Sequence, residues 1–179
     1  MANEIRTSRA NAMPNVDIDY VHDEVHRGKM WIGGAWVYAL SDTAVTKMAL
    51  LTGAKEVHMS FSIESNGPIL TSLYEGPTVT NTAAQVTLYN LNRNFDTSPQ
   101  AMMYKGTTVA TDGTLIFDKL VTGTTGGSVS AKNVFVQGGL ARPNTEWIFK
   151  PDTWYSMWIQ NTSGTAIQLD IKGEFYEEG

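Results

Sequence analysis

The chain has 179 residues, a net charge of −5 and no cysteine. A domain of that length buries roughly 70% of its unfolded surface and folds without staples, and the lack of thiols excludes disulfides, thiol catalysis and thiolate metal sites and suits a reducing cytosol. The acidic balance draws the chain to neither nucleic acid nor an anionic membrane, and without a signal-type N-terminus or an apolar run near about 18 residues neither export nor a membrane span is expected.

Residues 1–28 are polar and lack a sustained period, mixing Arg6 and Arg9 with Asp17, Asp19, Asp23 and Glu24 around Pro14. Such a stretch does not bury enough to order alone. Ile18, Tyr20 and Val21 interrupt it, and a solvated tail has little use for them. The expectation is an extended N-terminal arm that orders on a neighbouring subunit, with one domain over residues 29–179; a frayed terminus is the alternative. Within the arm, His22-Asp23-Glu24-Val25-His26 approaches a zinc-protease motif. That motif needs Glu directly after the first His, on a helix, whereas Glu24 comes two places later and its surroundings read as extended. The acidic residues also lack the alternating ligands, central Gly and distal Glu of a calcium loop. No metal and no cofactor is expected.

From Trp31 onward the period is two. Val57, Met59, Phe61 and Ile63 alternate with His58, Ser60, Ser62 and Glu64, the pattern of a half-buried strand. In the last strand Ile167, Leu169, Ile171 and Phe175 alternate with Gln168, Asp170, Lys172 and Glu174, and Gly173 lies on the apolar face. Further strands are predicted over 30–38, 43–51, 69–74, 85–90, 107–110, 114–121, 134–137 and 154–159. Asn66-Gly67-Pro68 breaks one pair of strands, Asp112-Gly113 reads as a type I′ hairpin turn, and 161–165 closes the last hairpin, so that the sequon Asn161-Thr162-Ser163 is read as a turn. Residues 91–106 and 122–133 read as long loops. No segment reads as a helix; 44–52 comes nearest, but Thr43, Val45 and Thr46 favour a strand. The fold class expected is all-β, an antiparallel β-sandwich. A jelly roll suits the strand count, and an immunoglobulin-like Greek key stays open.

Catalytic signatures are absent from the sequence. No G-x-S-x-G elbow, P-loop or dinucleotide fingerprint occurs, and a paired-carboxylate glycosidase would need acids converging from separate strands, which sequence order does not reveal. No catalytic residue is predicted. Trp154, Ser156 and Trp158 share one face of their strand, and Tyr155, Met157 and Ile159 share the other. With both faces apolar, this strand is either central in the sandwich or covered by a partner, and for Trp147, Trp154 and Trp158 core packing, a subunit interface and a sugar platform are all open. The partner-binding candidates are Ile18, Tyr20 and Val21 of the arm, with Trp31 and Trp36 beside it.

Several segments carry a resemblance. They are Glu146-Trp147-Ile148-Phe149-Lys150-Pro151-Asp152-Thr153-Trp154-Tyr155, then Asn161-Thr162-Ser163-Gly164, then the alternating strand ending Glu174-Phe175-Tyr176-Glu177. Earlier pieces agree: His26-Arg27-Gly28-Lys29-Met30, Leu73-Tyr74-Glu75-Gly76-Pro77-Thr78-Val79 and Tyr89-Asn90-Leu91-Asn92-Arg93. Together they resemble the small β-sandwich capsid decoration (cement) proteins of tailed bacteriophages. The resemblance implies a structural virion protein on the capsid exterior, made in the bacterial host cytoplasm, bound to the major capsid protein and assembled as a homotrimer. The alternative is a carbohydrate- or receptor-binding module of a phage head or tail fibre, using the Trp cluster or the two long loops.

Overall fold

The computed structural model describes residues 20–122, 133–137 and 146–178. One short helix, α1 (Tyr20–His26), leads into β1 (Met30–Leu40), β2 (Val45–Leu51), β3 (Glu56–Ser65) and β4 (Ile69–Glu75). Short pieces follow: β5 (Thr78–Asn81), β6 (Ala84–Gln85), β7 (Tyr89–Asn90), β8 (Met102–Lys105) and β9 (Thr108–Thr111). The chain continues through β10 (Thr114–Val121), β11 (Asn133–Gln137), β12 (Trp147–Phe149), β13 (Trp154–Asn161) and β14 (Ile167–Glu178). The expected all-β, antiparallel sandwich is what forms.

Two sheets pack face to face. The first runs β11-β3-β14-β1-β7, with β12 also paired to β3; the second runs β10-β4-β13-β2-β8-β6; β5 and β9 form a separate ribbon. Alternation along each strand sends one set of side chains inward. Trp31, Phe61, Ile63, Leu169 and Phe175 from the first sheet meet Met48, Leu50, Leu73, Tyr155, Met157 and Ile159 from the second, all buried. Each such side chain contributes roughly 1.5–3 kcal/mol by leaving water. Gly173 does lie on the inward face: a methyl there would come within 2.5 Å of Met59 Cε and 2.9 Å of Met103 Cε.

Several expectations need correction. Residues 20–26 are helical, not an extended arm, and residues 1–19, Ile18 among them, lie outside the described residues. The helix ends because Gly28 takes φ +68° and closes it with Gly28 N–H to Val25 O at 3.0 Å and Lys29 N–H to Glu24 O at 3.0 Å, the bonding of a glycine C-cap. The Asp112-Gly113 turn joins no hairpin, because β9 pairs with β5 while β10 pairs with β4. Residues 161–165 likewise join strands of different sheets, forming an arch from β13 to β14. Residues 91–106 are not all loop: β8 extends the second sheet beside β2, and Ala101 and Met103 are buried. The strand predicted over 85–90 is two short pieces, β6 and β7, in different sheets. Of the second long loop, 123–132 lies outside the described residues.

Candidate functional site

The outer face of the second sheet carries a group of aromatic side chains. Antiparallel register lines up Leu115, Tyr74, Ser156, Ala49 and Tyr104 across β10, β4, β13, β2 and β8. One row over, Trp158 lies between Ser72 and Lys47; on the other side, Trp154 lies beside Leu51. Ser156 and Ala49 are small and fully buried although they face outward, because aromatic rings cover them. Trp158 donates from Nε1 to Ser156 Oγ at 3.0 Å and lies 4.8 Å from the Tyr74 ring. Lys47 Nζ sits 3.3 Å above the Trp158 ring centroid, and Tyr104 lies 5.8 Å from Trp154. Around this half-exposed layer Leu115, Leu120 and Val45 are open to solvent. Of the three clustered tryptophans, only Trp147 packs against the core, at 5.9 Å from Phe117 and 6.3 Å from Phe149.

The sequence-predicted partner residues separate. Trp31 is buried, 5.9 Å from the Phe175 ring, and donates from Nε1 to Thr97 O at 3.1 Å. It belongs to the core. Trp36, on the outward side of the same strand, is 56% exposed. Val21 is half-buried on α1, and Tyr20 opens that helix.

The helix also changes the reading of the two arm histidines. His22 and His26 stand on successive turns with Nε2 atoms 3.0 Å apart and exposed. Glu24, two residues from each, is turned to the other side of the helix and buried, 3.6 Å from Arg27. The extended strand that would have aligned all three is absent here. Among the described residues no group of three or more acidic or imidazole side chains is arranged to hold a metal ion.

His58 is the other place where titratable groups gather. Its predicted polar face proves closed, for the residue is buried and stacks on Tyr176 with ring centroids 4.6 Å apart. Nδ1 lies 3.2 Å from Glu146 Oε1 and 2.9 Å from the Tyr176 hydroxyl, while Nε2 lies 3.3 Å from Glu178 Oε2. The carboxylates approach opposite ring nitrogens and do not converge on a common point. Both nitrogens are occupied by protein groups, so the cluster ties β3, β14 and the segment before β12 together and leaves neither nitrogen open to a substrate.

Two of the quoted motifs also meet. Lys150 donates from Nζ to Glu75 Oε1 at 2.6 Å, and the Tyr155 hydroxyl donates to Glu75 Oε2 at 3.2 Å while accepting from Lys150 N–H at 3.0 Å. The Lys150 hydrogen bond holds the Glu75 carboxyl below the usual carboxylate range. Burial pushes the Tyr155 phenol up from 10.0 to about 12. These residues join the turn before β13 to the end of β4.

Comparison with known proteins finds no matching family model, no matching curated protein and no matching solved structure. The resemblance to phage decoration proteins therefore rests on the quoted motifs. The aromatic outer face of the second sheet was half legible: the strand 154–159 reads as apolar on both sides, but its neighbours Tyr74, Tyr104 and Leu115 come from distant strands that only the sheet order brings together.

Proposed function

We propose that this chain is a structural virion protein, a capsid decoration or cement protein that docks on coat subunits and stabilises the phage head. The observation that carries the reading is the outer face of the second sheet. Tyr74, Tyr104, Trp154 and Trp158 form a half-exposed aromatic layer, with Leu115 and Leu120 beside it 49% and 55% exposed. Exposed apolar side chains gathered on one face suit a contact with another macromolecule, although Asp118, which accepts from Ser72 Oγ at 3.1 Å, lies between the two leucines. Trp and Tyr are enriched among residues that dominate such contacts. Trp, Tyr and Lys47 offer apolar bodies with polar ends, which suits a surface that is wet before assembly and dry after it.

The strand order supports a jelly-roll reading within the sandwich. One sheet contains β1-β14-β3-β11 and the other β2-β13-β4-β10, first strand beside last, as two Greek keys wound together would give. Jelly rolls serve viral capsid and lectin domains. The homotrimer, the major capsid protein as partner and the capsid exterior as location follow from the resemblance.

Cosedimentation tests the reading. Full-length protein added to capsids assembled without it should pellet with them and raise the temperature at which they disrupt. Protein that stays in the supernatant at saturating concentration overturns the proposal.

A further inference from the structure

The outer face of the first sheet, on the opposite side of the sandwich, has a different chemistry. Trp36 and Tyr38 are two residues apart on β1, 56% and 72% exposed, and a strand spaces such residues by about 7 Å. Register sets Asp170 beside Trp36 and Glu64 beside Asp170. A shallow depression at this point is lined by Trp36, Glu64, Asn66, Gln168 and Asp170. The Asn66 carboxamide is held in place: Oδ1 accepts from the Gln168 N–H at 2.8 Å, so its NH2 end is the one not used by that backbone.

We propose that this depression is a binding subsite for a neutral saccharide, with Trp36 as its stacking platform and Asp170, Asn66 and Gln168 as ligands of sugar hydroxyls. A pyranose has one flat face of C–H groups and a rim of hydroxyls that both donate and accept. An exposed indole offers the matching flat apolar surface, and a carboxylate beside two carboxamides offers the matching acceptors and donors. Small-molecule sites combine apolar surface with a few placed polar groups in this way. A protein surface covering the same point would strip water from the exposed Asp170 carboxylate at a high cost. A hydroxyl-rich ligand replaces that water with hydrogen bonds. Among the described residues the cation nearby, Lys172, is engaged with Glu174 at 2.9 Å, and the exposed Asp170 carboxylate on the rim disfavours an anionic sugar. The inference stands apart from the capsid reading, since the two outer faces point in opposite directions and can be occupied together.

Native electrophoresis of the full chain through gels cast with soluble polysaccharides tests it, using dextran, mannan and laminarin as neutral probes and alginate as the anionic one. At least one neutral gel should retard the protein, and alginate should not. Trp36→Ala should lose about tenfold in affinity, the scale of one stacked ring; Asp170→Ala should weaken retardation as well. Both positions are exposed, so both variants should keep the wild-type melting temperature, which is measured alongside. Absence of retardation in all three neutral gels, retardation that survives Trp36→Ala, or retardation by alginate alone each overturns the proposal.

Discussion

Asn90 donates from Nδ2 to the carbonyl oxygen of Gly28 at 2.7 Å. The bond joins the end of α1 to a segment far along the chain, and it has company. Thr97 Oγ1 donates to the same carbonyl at 3.0 Å, Asn92 Nδ2 to His26 O at 3.1 Å, and Leu91 N–H to Met30 O at 2.9 Å. Gly28 is itself buried at φ +68°, where an added methyl would lie 2.4 Å from Phe95 Cγ. Asn90→Ala should cost about 1–3 kcal/mol, because it withdraws a buried donor. Gly28→Ala should cost more, since it adds a clash to a strained backbone. Urea unfolding of the two variants measures both, and a Gly28→Ala midpoint equal to wild type would show that this joint does not hold the helix.

Glu75 sets an acid limit. Its folded-state pKa is lowered by the Lys150 hydrogen bond, so its stabilising contribution is present above the ordinary carboxylate pKa and is lost as pH falls through the folded value. Lys150 is 68% exposed at its side chain, which limits the pair to about 0–1 kcal/mol. Melting temperature followed from neutral pH down to the acid range should fall slightly more for wild type than for Glu75→Gln. Parallel curves would show that the pair contributes nothing.

Tyr155 sets an alkaline limit. Burial raises its phenol from 10.0 to about 12; a raised pKa favours the neutral, protonated form in the fold. That contribution is complete below pH 10 and disappears as pH rises through about 12. Phenolate absorbance should therefore show a late-titrating group whose appearance coincides with loss of structure. Tyr155→Phe should remove that late step and cost about 1–2 kcal/mol at neutral pH, from the hydrogen bonds to Lys150 and Glu75.

The sequon at Asn161 is spoken for by the fold. Asn161 is fully buried, donates from Nδ2 to Leu40 O at 2.9 Å and Thr165 O at 2.6 Å, and accepts from Ser163 N–H at 2.8 Å. Asn161→Asp, which keeps the acceptor but removes both donations, should lose about 2–4 kcal/mol by stranding buried carbonyls next to a charge. Thermal melts of Asn161→Asp against wild type check this; a loss under about 1 kcal/mol would mean that the arch is held elsewhere.

The last strand was legible because burial on one face imposes a period of two, as the alternating burial along β14 shows; β3 also sits where its apolar residues put it, although His58 and Ser60 on its other side are buried too. What failed was partnership. Asp112-Gly113 and 161–165 have hairpin chemistry, yet each joins strands that separate, since a turn sequence fixes local φ and not which sheet receives the next strand. The helix does carry a signal in the sequence: Asp23 in its first turn, then His26 and Arg27, then Gly28, the charge order and stop residue of a helix end. Its seven residues are too few to form on propensity alone. β8 was hidden because Ala101-Met102-Met103-Tyr104 is only four residues inside a polar stretch, and its burial depends on β2 beside it. The outer aromatic face and the Trp36 depression both need neighbours from strands distant in sequence.

Docking and stability should separate on the second sheet's outer face. Trp158 contributes to both: Trp158→Ala removes the cation–π contact with Lys47, the hydrogen bond to Ser156 and the cover over buried Ser156 and Ala49, at about 1–2 kcal/mol of folding stability. Leu115 and Leu120 are half-exposed and hold little inside the fold, so Leu115→Ser with Leu120→Ser should shift stability by no more than about 0.5 kcal/mol each. A docked partner would dry both leucines, and the same pair of changes should then weaken capsid cosedimentation about tenfold or more, at roughly 25 cal/mol for each Å² left unburied. Trp36→Ala, on the other side of the sandwich, should leave capsid binding unchanged. If the leucine pair binds capsids like wild type while Trp36→Ala does not, the docking face is the first sheet, and the assignment of surfaces is reversed.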